Sequence, residues 1–255
     1  MSKKQLKIAV LTSGGVDSSV ALKLLQSEGH DVTAFYLKIW LEDELSFLGD
    51  CPWEQDLSYL NEICATGNIP LRVINFQREY HAKVVGYALR EIRAGRTPNS
   101  DMICNSKVKF GSFFDVVGKE FDMVASGHYA NKTKKNRLYY LTKAKDALKD
   151  QTYFLARLTQ KQLKKSIFPL GTYQKKQIRK IAKDLELPNK NRKDSQGICF
   201  LGKIKYNDFV RQYLGEKKGD LIDWDNGKKL GSTEVIGFLQ LDNVKALSFQ
   251  VVHGL

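Results

Sequence analysis

A parallel α/β fold, a sheet flanked by helices with a small partial second domain, is predicted from three features of this 255-residue sequence. Strand and helix signals alternate through the first half of the chain. The first strand breaks at a glycine pair and resumes at once as a helix. After Gly215 the signals weaken to turns between short strands, which marks off the second domain. The expected division is a first domain over residues 1–205 and a partial second one over 206–255.

The elements follow in order. "LKIAVLT" reads as a buried strand, and Ser18 to Glu28 as a helix with Val20, Ala21, Leu24 and Leu25 on one face. "DVTAFYLKIW" is a second strand, and "DLSYLNEICATGN" a helix stopped by Gly67. "LRVINF" and "FDMVASGH" are further strands, with the long helix "EYHAKVVGYALREIRAG" between them. "NKTKKNRLYYL" reads as a hairpin, and Lys175 to Leu185 as a helix. Two polar stretches read as loops. "GRTPNSDMICNSKVKF" leads into a helix expected to begin near Ser106, and "PNKNRKDSQGICFLGK" follows the helix of Lys175. Each carries one cysteine.

Composition narrows the function classes. Hydrophobic residues make up 42%, enough for a sizeable core. No apolar run reaches about 18 residues, so no membrane span is expected. The chain enters its first strand within a few residues, with no signal peptide in view. A cytoplasmic location is expected, with a plastid or mitochondrion as the alternative. The cysteines are Cys51, Cys64, Cys104 and Cys199, and none forms a C-x-x-C pair. That argues against a structural zinc site, and no metal-binding residues are assigned.

Charge is uneven. From Tyr129 to Asp194 there are 19 Lys and Arg against 5 Asp and Glu, a net of +14 in a chain whose total is +13. A surplus so localised fits a polyanion partner, and nucleic acid rewards clustered cations through counterion release.

The stretch Ser13, Gly14, Gly15, Val16, Asp17, Ser18, Ser19 lies between strand and helix. Glycines let the backbone turn tightly, and the helix start adds free N–H groups and a positive dipole end. Such a nest binds phosphate, although a plain capped helix would use the same residue types. The lysine of a nucleoside-triphosphate loop is missing. Cys104 and Cys199 sit among cations that favour a thiolate: Lys107 and Lys109 for one, Arg192 and Lys193 for the other. Small hydrophobes at loop edges would read the same way.

The string "SGGVDSS" resembles the PP-loop ATP pyrophosphatases, in which ATP is attacked at its α-phosphate and pyrophosphate leaves. "GRTPNSDMICNSKVKF", "ASGHYA", "KDQTYFLARL", "FPLG" and "RKDSQGICFLGK" follow in the order found in the tRNA 2-thiouridylase family of MnmA type. The likeness runs from about Lys7 to about Tyr213, with "RKDSQGICFLGKIKY" nearest to the plant and cyanobacterial-like branch. The resemblance implies an adenine nucleotide α-hydrolase-like fold and ATP-dependent sulfur transfer to the wobble uridine of tRNA. It implies ATP, with Mg²⁺, at Leu11, Thr12, Ser13, Gly14, Gly15, Val16, Asp17, Ser18, Leu37 and Gly127. It implies a persulfide on Cys199, attack on it by Cys104 with release of sulfur or closure of a disulfide, and proton transfer assisted by Asp101. Asn99, Ser100 and Asp101 resemble the base-contact loop; Lys149, Asp150 and Gln151 resemble a tRNA-contact motif. A helix-cap role is the other reading of Asp150. The partners implied are tRNA and a persulfide-donating protein.

The sequence departs from the family at Ser100, usually proline, and at Ser126, usually threonine. Family members continue past residue 255 into a β-barrel. The tail from Ser232 to Leu255 does not fit the pattern, and its apolar residues are expected to lack a domain to pack on. Two other functions compete: a PP-loop synthetase acting on a small metabolite, and a non-catalytic tRNA-binding remnant.

Overall fold

The computed structural model describes residues 4–39, 53–194, 211–215, 219–223, 225–233 and 249–252. Its centre is a five-stranded sheet in the order β3-β2-β1-β4-β7, every neighbouring pair parallel. The strands are β1 (Lys7–Thr12), β2 (Asp31–Lys38), β3 (Leu71–Asn75), β4 (Met123–Ser126) and β7 (Ser166–Ile167).

Alternation along β1 and β2 explains why both faces are covered. Ile8 and Val10 of β1, with Val32 and Ala34 of β2, face one apolar cluster. Ala9, Leu11 and Phe35 face the other. The first cluster is closed by α1 (Val16–Ser27), α2 (Trp53–Gly67) and α6 (Lys175–Asp184), through Val20, Ile63, Ile178 and Ala182. The second is closed by α3 and α4. Helix α3 runs Gln77–Tyr80, widens into a π-helical stretch at His81–Val85, and continues as Gly86–Arg93. Helix α4 runs Ser100–Ile103, widens again at Cys104–Ser112, and ends with Phe113–Val117. Phe35 meets Phe113 and Phe121 edge to face, at centroid distances of 5.1 and 5.4 Å. The expected α/β fold is thus present.

The expected hairpin is formed by β5 (Asn131–Lys135) and β6 (Leu138–Thr142). Asn136 and Arg137 both have positive φ, 49° and 65°. Two such residues make the type I′ turn that matches strand twist. A 3₁₀ turn at Thr152–Leu155 and α5 (Gln160–Lys165) follow.

One expectation is corrected. The stretch around Cys104 is no loop: α4 starts at Ser100, because the Asn99 side chain accepts from the Met102 N–H at 3.0 Å and caps the first turn. Ser100 is the first helical residue, the position that proline tolerates best, so serine there continues the same turn. Part of the tail forms a strand. Phe249–Val252 forms β10, which pairs antiparallel with β8 (Gly219–Asp223), and β8 pairs with β9 (Lys229–Thr233). The expected division near residue 205, Cys51, Cys199 and most of the tail lie outside the described residues.

Candidate active site

Strand order places the site. β2 and β3 lie on one side of β1, and β4 and β7 on the other. The chain therefore reverses direction across the sheet between β1 and β4, and ligands of open α/β sheets bind at the carboxyl ends of strands beside such a switch point. Leu11 and Thr12 end β1, Leu37 lies near the end of β2, and Gly127 follows β4. The structure brings these expected nucleotide residues to one edge.

The loop Ser13–Gly14–Gly15 is held open by its own bonds. The Ser13 N–H donates to Ser18 Oγ at 3.1 Å, and the Ser18 and Ser19 hydroxyls donate to the Gly15 carbonyl at 3.1 and 2.9 Å. Gly15 is the N-cap of α1 and gives it no side-chain cap. The first-turn N–H groups of a twelve-residue helix are thus left to an anion. Thr12 is structural at its side chain, donating to the Phe35 carbonyl at 3.0 Å.

Two glycines are demanded by space. Gly14 has φ +68°, and a Cβ there would lie 2.7 Å from the Asp56 Cα. A Cβ on Gly127 would lie 2.9 Å from Ser18 N and 3.0 Å from Ser18 Cα. Gly127 therefore acts by letting β4 approach the start of α1.

Around the loop lie side chains the sequence expectations did not assign to it, Asn189, Arg192, Asp56, Tyr129, Lys175 and Asp194 among them. Asn189, 1% exposed, donates to the Gly14 carbonyl at 2.8 Å and to Ser19 Oγ at 2.9 Å. Arg192 Nη1 donates to the same carbonyl at 3.1 Å and pairs with Asp56. Burial pushes the Asp56 carboxyl up, an effect opposed by Arg192 and Tyr36. On the other side, Asp17 accepts from Tyr129 Oη at 3.0 Å and from Lys175 Nζ at 2.7 Å on each oxygen. Lys175 also pairs with Asp194 at 2.7 Å, and Asp194 with Lys149 and Arg179. Burial alone would raise the Asp194 carboxyl, but Lys175, Lys149 and Arg179 outweigh it and hold it at about 2. His128 hydrogen-bonds Ser126 Oγ at 2.8 Å, and burial, aided by the Lys109 charge, pushes its imidazole down to about 3.

From Asp17 a chain of bonds leads to the other motifs. Tyr129 exchanges two bonds with Gln151: its N–H donates to Gln151 Oε1 at 3.0 Å, and its carbonyl accepts from the Gln151 N–H at 2.8 Å. Gln151 precedes the 3₁₀ turn, whose Tyr153 Oη accepts from Asn99 Nδ2 at 3.2 Å and whose Phe154 carbonyl accepts from Asn105 Nδ2 at 3.1 Å. Asp101 and Cys104 lie on α4 with Asn99 and Asn105 at hand. The phosphate loop, the Lys149–Gln151 motif and the Asn99–Cys104 motif are thereby one connected unit. Asp150 accepts from the Ala144 N–H at 2.7 Å and from Thr152 Oγ1 at 2.6 Å, so its carboxylate fixes the turn. Lys149 is the member of its motif that reaches solvent.

A family model described as the tRNA methyl transferase HUP domain matches residues 6–203. A tRNA-specific 2-thiouridylase MnmA from Parabacteroides distasonis is 43% identical over 242 residues, 95% of this chain and 67% of its own length. A second MnmA, from Bacteroides fragilis, is 46% identical over 242 residues, 95% of this chain and 68% of that one. The chain belongs to the MnmA-type tRNA 2-thiouridylases. It spans about two thirds of the length of these relatives, which are bacterial and do not speak for the plant or cyanobacterial branch. With 242 of 255 residues matched, the 2-thiouridylase likeness also reaches into the tail that the sequence pattern left unmatched. Among solved structures, an NMN synthetase from Francisella tularensis covers 84% of the chain and 78% of its own at 16% identity, TM-score 0.47. A U34-tRNA thiolase from Methanococcus maripaludis covers 78% and 63% at 16% identity, TM-score 0.48. That overlap is loose, and the fold stands on the strand order itself.

In 2-thiouridylase terms, Cys104 is not the loop thiol expected. It is 2% exposed and packs in the same cluster as Phe35, Val84 and Phe113. It opens the π-helical stretch of α4, a widening that recurs at functional sites. In the basic segment Lys134, Lys135 and Arg137 on the hairpin, Lys161 on α5, and Lys176 and Lys180 on α6 are all exposed.

Proposed function

We propose that this chain carries out ATP-dependent 2-thiolation of the wobble uridine of tRNA. The observation that carries the reading is the bonded path from Asp17 through Tyr129 and Gln151 to the helix of Asn99, Asp101 and Cys104. It joins a nucleotide loop to a thiol-bearing motif in a chain 43–46% identical to 2-thiouridylases.

In this reading the loop and the open end of α1 hold the ATP phosphates, and Leu37 lies where the adenine rests. The uridine O2 attacks the α-phosphorus and pyrophosphate leaves, so the base oxygen becomes part of a good leaving group. The terminal sulfur of a Cys199 persulfide, charged by a donor protein, attacks C2, and AMP departs with the oxygen. Cys104 then attacks the Cys199 sulfur. The sulfur–sulfur bond breaks, the outer sulfur stays on the base, and the cysteines close as a disulfide that an external thiol must reopen. Asn99, Ser100 and Asp101 form the base-contact edge, with Asp101 moving the proton. Lys149 and the exposed lysines of the basic segment meet the tRNA phosphates.

Among the described residues, magnesium fits at Asp17. Mg²⁺ is held by one or two carboxylates together with substrate phosphates, and Asp17 at the loop already stabilises a cation on both oxygens. Bound there, the ion would neutralise phosphate charge.

The reaction class is tested by incubating the protein with tRNA, a persulfide donor and ATP labelled at the α-phosphate in one sample and at the γ-phosphate in a second. AMP and pyrophosphate appearing together, only with tRNA, support the reading. ADP and orthophosphate would contradict it.

A further inference from the structure

The loop between β1 and α1 has no lysine, yet it does not lack one in space. Lys175 comes from a position 158 residues away and places its ammonium 2.7 Å from each oxygen of Asp17. It is the first residue of α6, and its backbone N–H is fixed by Asp146 Oδ2 at 2.8 Å. The side chain is 14% exposed and lies over the Tyr129 ring at 5.9 Å. Asp194 holds the same ammonium from the far side at 2.7 Å.

We propose that Lys175 is the phosphate-neutralising lysine of this loop, delivered by α6 and turned from Asp17 to the β- and γ-phosphates when ATP binds. This deepens the adenylating reading and rests on it. Three features support the assignment. The ammonium lies at the acidic residue of the phosphate loop, opposite the Arg192 guanidinium at Gly14, so two cations flank one anion nest. Its long unbranched stem can swing while the backbone stays pinned by Asp146. Asp17, once released, is available to a divalent cation, so one displacement prepares both positive charges. As the bond from the α-phosphorus to the bridging oxygen breaks, negative charge grows on the departing pyrophosphate, where a cation counts most. Asp194, left with Lys149 and Arg179, stays paired.

A lysine that only staples α6 to α1 would have the same contacts, so the test must separate the roles. Binding of ATP and of AMP is measured by calorimetry for wild type, Lys175→Met and Lys175→Arg, without tRNA or sulfur donor. AMP lacks the two phosphates assigned to Lys175. Lys175→Met is expected to weaken ATP about tenfold or more, as for loss of a charge-assisted bond, and to leave AMP within about twofold; Lys175→Arg stays close to wild type. If Lys175→Met does not fold, Lys175→Gln, which keeps a donor for Asp17 but no charge, carries the same comparison. Equal weakening of ATP and AMP, or no change in either, overturns the proposal. A wild-type chain that binds neither nucleotide contradicts the adenylating function itself, and this inference with it.

Discussion

Asn189 holds Gly14 by a single amide nitrogen, 2.8 Å from the glycine carbonyl and 2.9 Å from the Ser19 hydroxyl. The bond links the segment after α6 to both sides of the phosphate loop. Replacing Asn189 with alanine removes two buried hydrogen bonds. Unfolding stability is expected to fall by about 1–3 kcal/mol, read as a shift in the urea midpoint, with weaker ATP binding. An unchanged midpoint together with unchanged affinity contradicts this tether.

Gly127→Ala tests the approach of β4 to α1. A methyl group there meets backbone atoms of Ser18 that cannot move alone. Overpacking of this kind costs about 1–3 kcal/mol, and here the displaced element carries the phosphate site. ATP affinity should fall more than stability does. A variant that binds ATP like wild type would show that the two backbones need not touch.

How much of this was legible in the sequence depends on distance along the chain. The strand–loop–helix of residues 7–27 could be read because its signals are contiguous. The hairpin could be read from its flanking strands, although its turn uses Asn-Arg where Asn-Gly is the stronger signal. Asn99 misled the reading: asparagine before Ser-Asp suits a turn and a helix cap equally, and the cap formed. That put Cys104 in a buried helix and not in a loop. Lys175 and Asn189 could not be found at all from spacing, because they reach the loop across more than 150 residues, and Asp194 meets it only through Lys175. Arg192 was read only as a cation beside Cys199, and Asp194 lay in the same motif without a role.

His128 gives the molecule an acid sensitivity. Its folded-state imidazole titrates at about 3, held down by burial and Lys109, whereas an unfolded histidine takes its proton near 6.5. Between these values the unfolded chain binds the extra proton, so stability falls as pH drops from about 6.5 towards 3. Asp194, held at about 2, adds a loss only below the ordinary carboxylate range. Urea midpoints at pH 7.5 and 4.5 check this: His128→Gln should show a smaller drop than wild type. An equal drop places the sensitivity elsewhere.

Cys104 at 2% exposure should resist alkylation in the native protein. Peptide mapping after brief iodoacetamide treatment is expected to find Cys104 modified far more slowly than in urea. If it reacts at the denatured rate without nucleotide or tRNA, the packing of α4 described above is wrong.

The central claim is that loop, thiol motif and basic segment make one thiolating enzyme. Mass spectrometry of tRNA nucleosides tests it most directly, after incubation with the protein, ATP, Mg²⁺ and a persulfide donor. An oxygen-for-sulfur exchange confined to the wobble uridine, and lost in Cys199→Ser, is the predicted result. Unmodified uridine from a protein that still binds ATP and tRNA would contradict the account.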